Sequence, residues 1–135
     1  MVESRVSFEL VSPERLLMEL EVAMVVVPGT EGDFGVLAQH APVVSTIRPG
    51  MVEVYETREA EPSRFFLKGG FAEVSPEGLV ILAEDAVDPA EVDPADLARR
   101  IADAREDLED AADEAARAKV EKDLAWMTAL DALVR

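Results

Sequence analysis

The sequence predicts a β plus α chain, with an N-terminal antiparallel β-sandwich of about ten short strands over residues 1–87 and a C-terminal two-helix hairpin over residues 88–135. Three observations carry this reading. Period-two alternation of apolar residues runs from Val6 to Ala83 in short segments. Turn-forming clusters separate those segments at intervals of roughly 8 to 12 residues, the spacing of a sandwich or barrel. From Ala95 to Arg135 there is neither Gly nor Pro, and Ala is abundant.

The strand segments come first. Val6, Phe8 and Leu10 alternate, as do Val22, Met24 and Val26, then Val52 and Val54 against Met51, Glu53 and Tyr55, and finally Val80 with Leu82. Each set predicts a half-buried strand whose apolar residues share one face. The punctuation is Ser12-Pro13-Glu14, Pro28-Gly29, Glu31-Gly32-Asp33, Pro49-Gly50, Gly69-Gly70 and Pro76-Glu77-Gly78, all residues that supply turn dihedrals or local side-chain acceptors.

The helical part opens twice. Asp88-Pro89-Ala90-Glu91 and Asp93-Pro94-Ala95-Asp96 each place an acceptor at N-cap, Pro at N1 and an acid at N3. The first predicts a single turn, because Pro94 ends what it starts. Asp96 with Arg100 and Asp113 with Arg117 are spaced as i,i+4 ion pairs. One apolar stripe is Leu97, Ile101, Ala104 and Leu108; another is Val120, Leu124, Met127 and Leu130 or Val134. Twelve residues at about 100° each rotate the second stripe roughly 120° from the first, which predicts a break near Glu109 to Glu114 and leaves one long helix as the alternative. Both stripes are narrow and Ala-rich, so the hairpin is weakly held and must dock on something.

Composition excludes several functions. The 135 residues carry a formal charge of −16, spread over both parts: six basic against fifteen acidic side chains up to Val87, and seven against fourteen after it. A phosphate-backbone partner needs clustered Lys and Arg, so nucleic acid is excluded as a partner. The absence of Cys removes thiolate chemistry and disulfides, and a single His40 removes most histidine-ligand metal sites. No apolar run approaches the roughly 18 residues of a membrane span, and the Met1-Val-Glu-Ser-Arg5 start has no apolar leader core, so the expectation is a soluble, cytosolic protein.

Three segments together resemble the ε subunit of F-type ATP synthases, the counterpart of the mitochondrial δ subunit. They are Val27-Pro-Gly-Thr-Glu-Gly-Asp-Phe-Gly-Val-Leu-Ala-Gln-His-Ala-Pro42 with Arg48-Pro49-Gly50-Met51; Phe66-Leu-Lys-Gly-Gly-Phe-Ala-Glu-Val74; and Val80-Ile-Leu-Ala-Glu-Asp-Ala86. The resemblance implies a noncatalytic subunit at the foot of the central stalk, which turns with the γ subunit and the membrane-embedded c-ring on the cytoplasmic face of the bacterial inner membrane. Carried over by position, Glu31, Gly32, Asp33, Phe34, His40, Ala41 and Pro42 contact the c-ring loops, and Ser12 lies on the γ side. In many bacterial members of the family the C-terminal hairpin inhibits ATP hydrolysis when it extends into the catalytic head of α and β subunits, so the resemblance implies a regulatory role for it. Some members bind ATP there through an apolar-Asp-x-x-Arg-Ala motif. Here Val92-Asp93 match its start, but Asp96 and Leu97 stand where Arg and Ala belong, so no cofactor is expected.

Other readings of the same residues are weaker. A catalytic base needs a nucleophile or partner, and His40 between Gln39 and Ala41 has neither in sequence. Glu31 and Asp33 lack the alternating acids and closing Glu of a calcium loop. With 29 acidic residues, a hydrolase-like carboxylate pair cannot be singled out. Arg99, Arg100, Arg105, Arg117, Lys119 and Lys122 alternate with acids as a solvated, ion-paired surface does, and Trp126 with Met127 reads as the hairpin's own core. The rival from another class is a free-standing binding adaptor of the same architecture.

Overall fold

A computed structural model of the protein describes residues 4–134. The strands are β1 (Val6–Val11), β2 (Leu16–Val22), β3 (Met24–Gly29), β4 (Gly32–Val36), β5 (Val43–Ile47), β6 (Gly50–Tyr55), β7 (Ser63–Leu67), β8 (Gly70–Ser75), β9 (Gly78–Ala83) and β10 (Ala86–Val87). A 3₁₀ turn at Pro89–Glu91 leads to α1 (Pro94–Asp110) and α2 (Glu114–Val134). The protein divides into two compact units, one ending at Asp88 and the other beginning at Pro89.

The strands form one hydrogen-bonded sheet in the order β10-β7-β6-β3-β5-β8-β9-β1-β2, with β4 paired to β3 beside that path. Strands β1 to β9 each send at least one residue into the same apolar cluster, among them Phe8, Val25, Val52, Leu67 and Ile81. Since one strand presents one face inward, nine strands share an interior only if the sheet curls around it. Burying each such side chain stabilises the fold by about 1.5–3 kcal/mol relative to exposure. The pairing is antiparallel except between β1 and β9, where Phe8 to Val11 run parallel to Leu79 to Leu82. A tight turn forces antiparallel neighbours, but β1 and β9 are far apart in sequence and escape that constraint.

Two alternation phases differ from the sequence reading. Val6, Phe8, Leu10, Val52 and Val54 are buried as expected. Val22 is also buried, but Val25 and Val27 follow it inward, while Met24 and Val26 are half-buried. Ala23 is the cause: it interrupts the strand, its N–H bonds the Tyr55 carbonyl at 2.8 Å, and one interposed residue inverts every side chain after it. In β9 the interior takes Leu79, Ile81 and Ala83, leaving Val80 half-buried and Leu82 exposed. Residues 79–83 are all apolar, so alternation alone could not choose the face.

Gly70 allows β8 to start where it does. Its φ is +147°, and a Cβ there would meet the Leu82 carbonyl oxygen at 2.0 Å.

The helical unit breaks where the stripe phase slips. α1 stops at Ala111, whose backbone is extended, and Asp113 Oδ1 accepts from the Ala116 N–H at 2.8 Å to open α2. Asp93 does the same for α1, accepting from Ala95 N–H at 3.0 Å. Leu97, Ile101 and Ala104 of α1 and Trp126, Met127 and Leu130 of α2 are buried. The expected Asp96–Arg100 and Asp113–Arg117 pairs do not form. Asp96 bonds Arg99, Arg100 lies over the Trp126 ring at 5.6 Å, Asp113 is occupied as a cap, and Arg117 pairs with Glu121 at 3.2 Å. A capping carboxylate aimed at backbone donors faces away from the next turn, and an indole face competes for the guanidinium.

Candidate functional site

Two surface features of the β unit gather most of the predicted contact residues. The first is a concavity of about 420 Å³ lined by Glu31, Gly32, Asp33, Phe34 and His40, with Val43, Val44 and Ser45 as its other wall. The β3–β4 hairpin supplies the first four residues. Its tip, Thr30-Glu31, lies between Gly29 and Gly32, which face each other across the ladder. Thr30 ties this tip to β5, its N–H bonding the Thr46 carbonyl at 3.0 Å and its hydroxyl lying 2.8 Å from the Thr46 hydroxyl. Arg48 clamps the same loop, donating Nη1 to the Gly29 carbonyl at 2.6 Å and Nη2 to the Asp33 carboxylate at 2.5 Å. Among the described residues Glu31 has no such partner.

His40 follows Gln39, which takes the left-handed conformation with φ 63°. The His40 Nδ1 lies 2.6 Å from the Ala41 carbonyl, an acceptor only, so this bond requires the proton on Nδ1. Ala41 and Pro42 are exposed but do not line the concavity, and Ser12 lies elsewhere. Sequence reasoning missed Val43, Val44 and Arg48. The exposed Val43-Val44 pair was the available signal, whereas nothing in sequence ties Arg48 to Asp33.

The second feature surrounds Ser12. Its hydroxyl is used locally, accepting from the Arg15 N–H at 3.3 Å and donating to the Arg15 carbonyl at 3.2 Å. Beside it runs a groove of about 300 Å³ walled by Val11, Pro13, Phe71 and Leu82. Register explains the groove. Leu16 pairs with Val11, Val11 with Leu82, and Leu82 with Phe71, so β2, β1, β9 and β8 present one apolar row on the outer face. Leu16, Phe71 and Leu82 are each at least half exposed, and isolated apolar residues do not line up in this way by chance.

No helix of the described residues is long and apolar enough to cross a membrane. Residues 5–89 match the family model of the β-sandwich domain of ATP synthase delta and epsilon chains, and residues 93–134 match that of the C-terminal domain of ATP synthase epsilon chains. The protein belongs to the ATP synthase epsilon chain family. Epsilon chains similar to it include one from Mesorhizobium japonicum, 50% identical over 94% of this chain and 93% of its own length. Another, from Parvibaculum lavamentivorans, is 54% identical over 79% of this chain and 80% of the relative. Among solved structures, a subunit of the Euglena gracilis mitochondrial ATP synthase, determined with its c-ring, superposes with a TM-score of 0.83 at 28% identity, covering 100% of this chain and 84% of that one. A subunit from the central stalk and c-ring of the Tetrahymena thermophila enzyme shares the fold, with a TM-score of 0.64 at 12% identity over 99% of this chain and 98% of that one. The epsilon subunit is an accessory subunit, and the two family models match the β unit and the helical unit of this chain in turn.

Proposed function

We propose that this protein is a noncatalytic rotor subunit that joins the γ subunit to the c-ring at the cytoplasmic face of the bacterial inner membrane, held there only through the complex. The observation that carries the reading is the presence of two candidate contact surfaces on one β unit. The half-apolar concavity of Glu31, Gly32, Asp33, Phe34 and His40, with Ala41 and Pro42 beside it, meets the polar c-ring loops. The apolar row beside Ser12 meets γ. An exposed apolar row is a core of the kind that interfaces bury, while acids and a histidine at a concave rim suit polar loops. Val44 lines the concavity and pairs with Glu73 of β8, so the two surfaces adjoin along β5.

In this reading the hairpin over residues 88–135 is the regulatory element, a second unit that restrains ATP hydrolysis by engaging the α and β subunits. Its support is the separate compact unit and the weakly capped break between α1 and α2. Nucleotide binding forms no part of the proposal, because Asp96 puts a carboxylate bonded to Arg99 where a phosphate-binding arginine is needed. The test is calorimetric titration of the protein with the γ subunit of the same organism. One-to-one binding that Phe71→Asp abolishes supports the rotor reading. A folded wild-type protein that binds no γ leaves the free-standing adaptor.

A further inference from the structure

The outer face that bears the apolar row carries a second row parallel to it. Glu19 of β2 stands opposite Glu9 of β1, Glu9 beside Val80 of β9, Val80 opposite Glu73 of β8, and Glu73 opposite Val44 of β5. Each member is two residues along its strand from its counterpart in the Leu16, Val11, Leu82, Phe71 series or one residue further at the β2 irregularity, so the rows lie about 7 Å apart. The second row crosses β2, β1, β9, β8 and β5 and extends roughly 20 Å, and the apolar row, on β2, β1, β9 and β8, roughly 14 Å.

Three of the five positions in this second row are glutamates, and among the described residues none of the three has an ion-pair partner. Glu9 and Glu19 face each other directly, an arrangement that destabilises an antiparallel pair. The isolated protein gains nothing from it. Cations supplied by a partner would turn the same repulsion into attraction.

We infer that this face recognises a γ surface bearing an apolar ridge flanked on one side by a line of Lys or Arg, with Glu9, Glu19 and Glu73 fixing the direction and register in which the ridge lies down. The inference rests on the reading that the apolar row meets γ, and adds the chemistry of the partner. Apolar contact supplies area but little orientation, since the row is nearly featureless along its length. The acids on the two flanks are unequal, with Glu9, Glu19 and Glu73 in the second row against Glu84 at the opposite wall of the groove, and this inequality supplies the asymmetry. A second copy of this protein does not fit, because two faces of the same acidic sign, on molecules of net charge −16, repel.

The experiment compares the full-length wild type with the triple variant Glu9→Gln, Glu19→Gln, Glu73→Gln and with Phe71→Asp, titrating each with γ at low salt (roughly 50 mM NaCl) and at about tenfold higher salt. The wild type is expected to bind several-fold more weakly at high salt. The triple variant is expected to bind roughly tenfold more weakly at low salt and to lose most of its salt dependence. Freed of the Glu9–Glu19 repulsion, it should also melt about 1–3 °C higher than the wild type, which excludes misfolding as the cause of weaker binding. A triple variant that matches the wild type at both salts, while Phe71→Asp abolishes binding, overturns the charge inference and leaves the γ face standing. Unimpaired binding by Phe71→Asp overturns the face reading and this inference together.

Discussion

Arg48 decides which acid at the concave rim carries free charge. With one arm on the Gly29 carbonyl and the other on Asp33, its guanidinium neutralises that carboxylate and fixes the hairpin tip, so Glu31 is left to meet a basic group from outside. Both ends of the Arg48–Asp33 pair are about half exposed, which limits the pair to roughly 1 kcal/mol or less. Its importance is positional. Glu31→Gln is therefore expected to lower ATP-driven proton pumping by the reconstituted complex more than Asp33→Asn does. Arg48→Ala should mimic the loss of Glu31 by releasing the loop, and Arg48→Lys should recover part of the activity. Proton pumping in reconstituted vesicles checks the order, and an Asp33→Asn effect larger than that of Glu31→Gln contradicts it. Glu31, Asp33, Phe34 and His40 came from the family resemblance of their segment, and the structure brings these four around one concavity. The role of Arg48 was not legible in sequence, since its contact with Asp33 depends on how β3, β4 and β5 are paired, which periodicity does not encode.

At the scale of the element, the break between α1 and α2 joins one poor helix end to one good one. Asp113 caps α2 and its loss should cost about 1 kcal/mol. The last turn of α1 holds Asp107, Glu109 and Asp110 with no basic residue, against the partial negative charge of a helix C-terminus. Replacing Glu109 and Asp110 by Lys is expected to stabilise the helical unit by about 0.3–1 kcal/mol each. Thermal melting followed by far-ultraviolet circular dichroism should show opposite shifts for Asp113→Ala and the Glu109→Lys, Asp110→Lys pair, smaller at high salt for the latter. Equal shifts of the same sign contradict the account. The break itself was legible without any Gly or Pro, because the stripe from Leu97 to Leu108 and that from Val120 to Leu130 do not share a phase. The ion pairs were less legible: spacing makes Asp96 and Arg100 neighbours, but it says nothing of the Trp126 ring that occupies Arg100. Among the strands, Val22 to Val26 shows the same limit, since a single residue such as Ala23 reverses a face and leaves no mark in composition.

For the whole molecule, the question is whether the β unit is complete without the helices. Its core cluster draws every buried member from Val6 to Ala83, and Ala86 of β10 packs against it, so most of the apolar burial that drives folding lies within the first unit, with the fully buried Phe66 of β7 standing outside that cluster. β10 covers part of the β7 edge, with Ala86 opposite Leu67 and Val87 opposite Phe66, which argues for keeping both residues in any shortened form. A truncation ending at Val87 is thus expected to unfold in one cooperative transition and to bind γ with the affinity of the full-length protein, because the apolar row and the acid row lie entirely within β1, β2, β5, β8 and β9. The same truncation should raise ATP hydrolysis by the assembled complex if the hairpin is the restraint, and leave coupled synthesis possible because both contact surfaces remain. Calorimetry of the short form, titration with γ, and hydrolysis rates of the complex separate these claims. A short form that melts without cooperativity would show that the helices complete the fold. Cooperative folding with lost γ binding would move part of the γ contact onto α1 or α2. Normal folding and binding with unchanged hydrolysis would remove the hairpin's regulatory role while leaving the rotor joint intact.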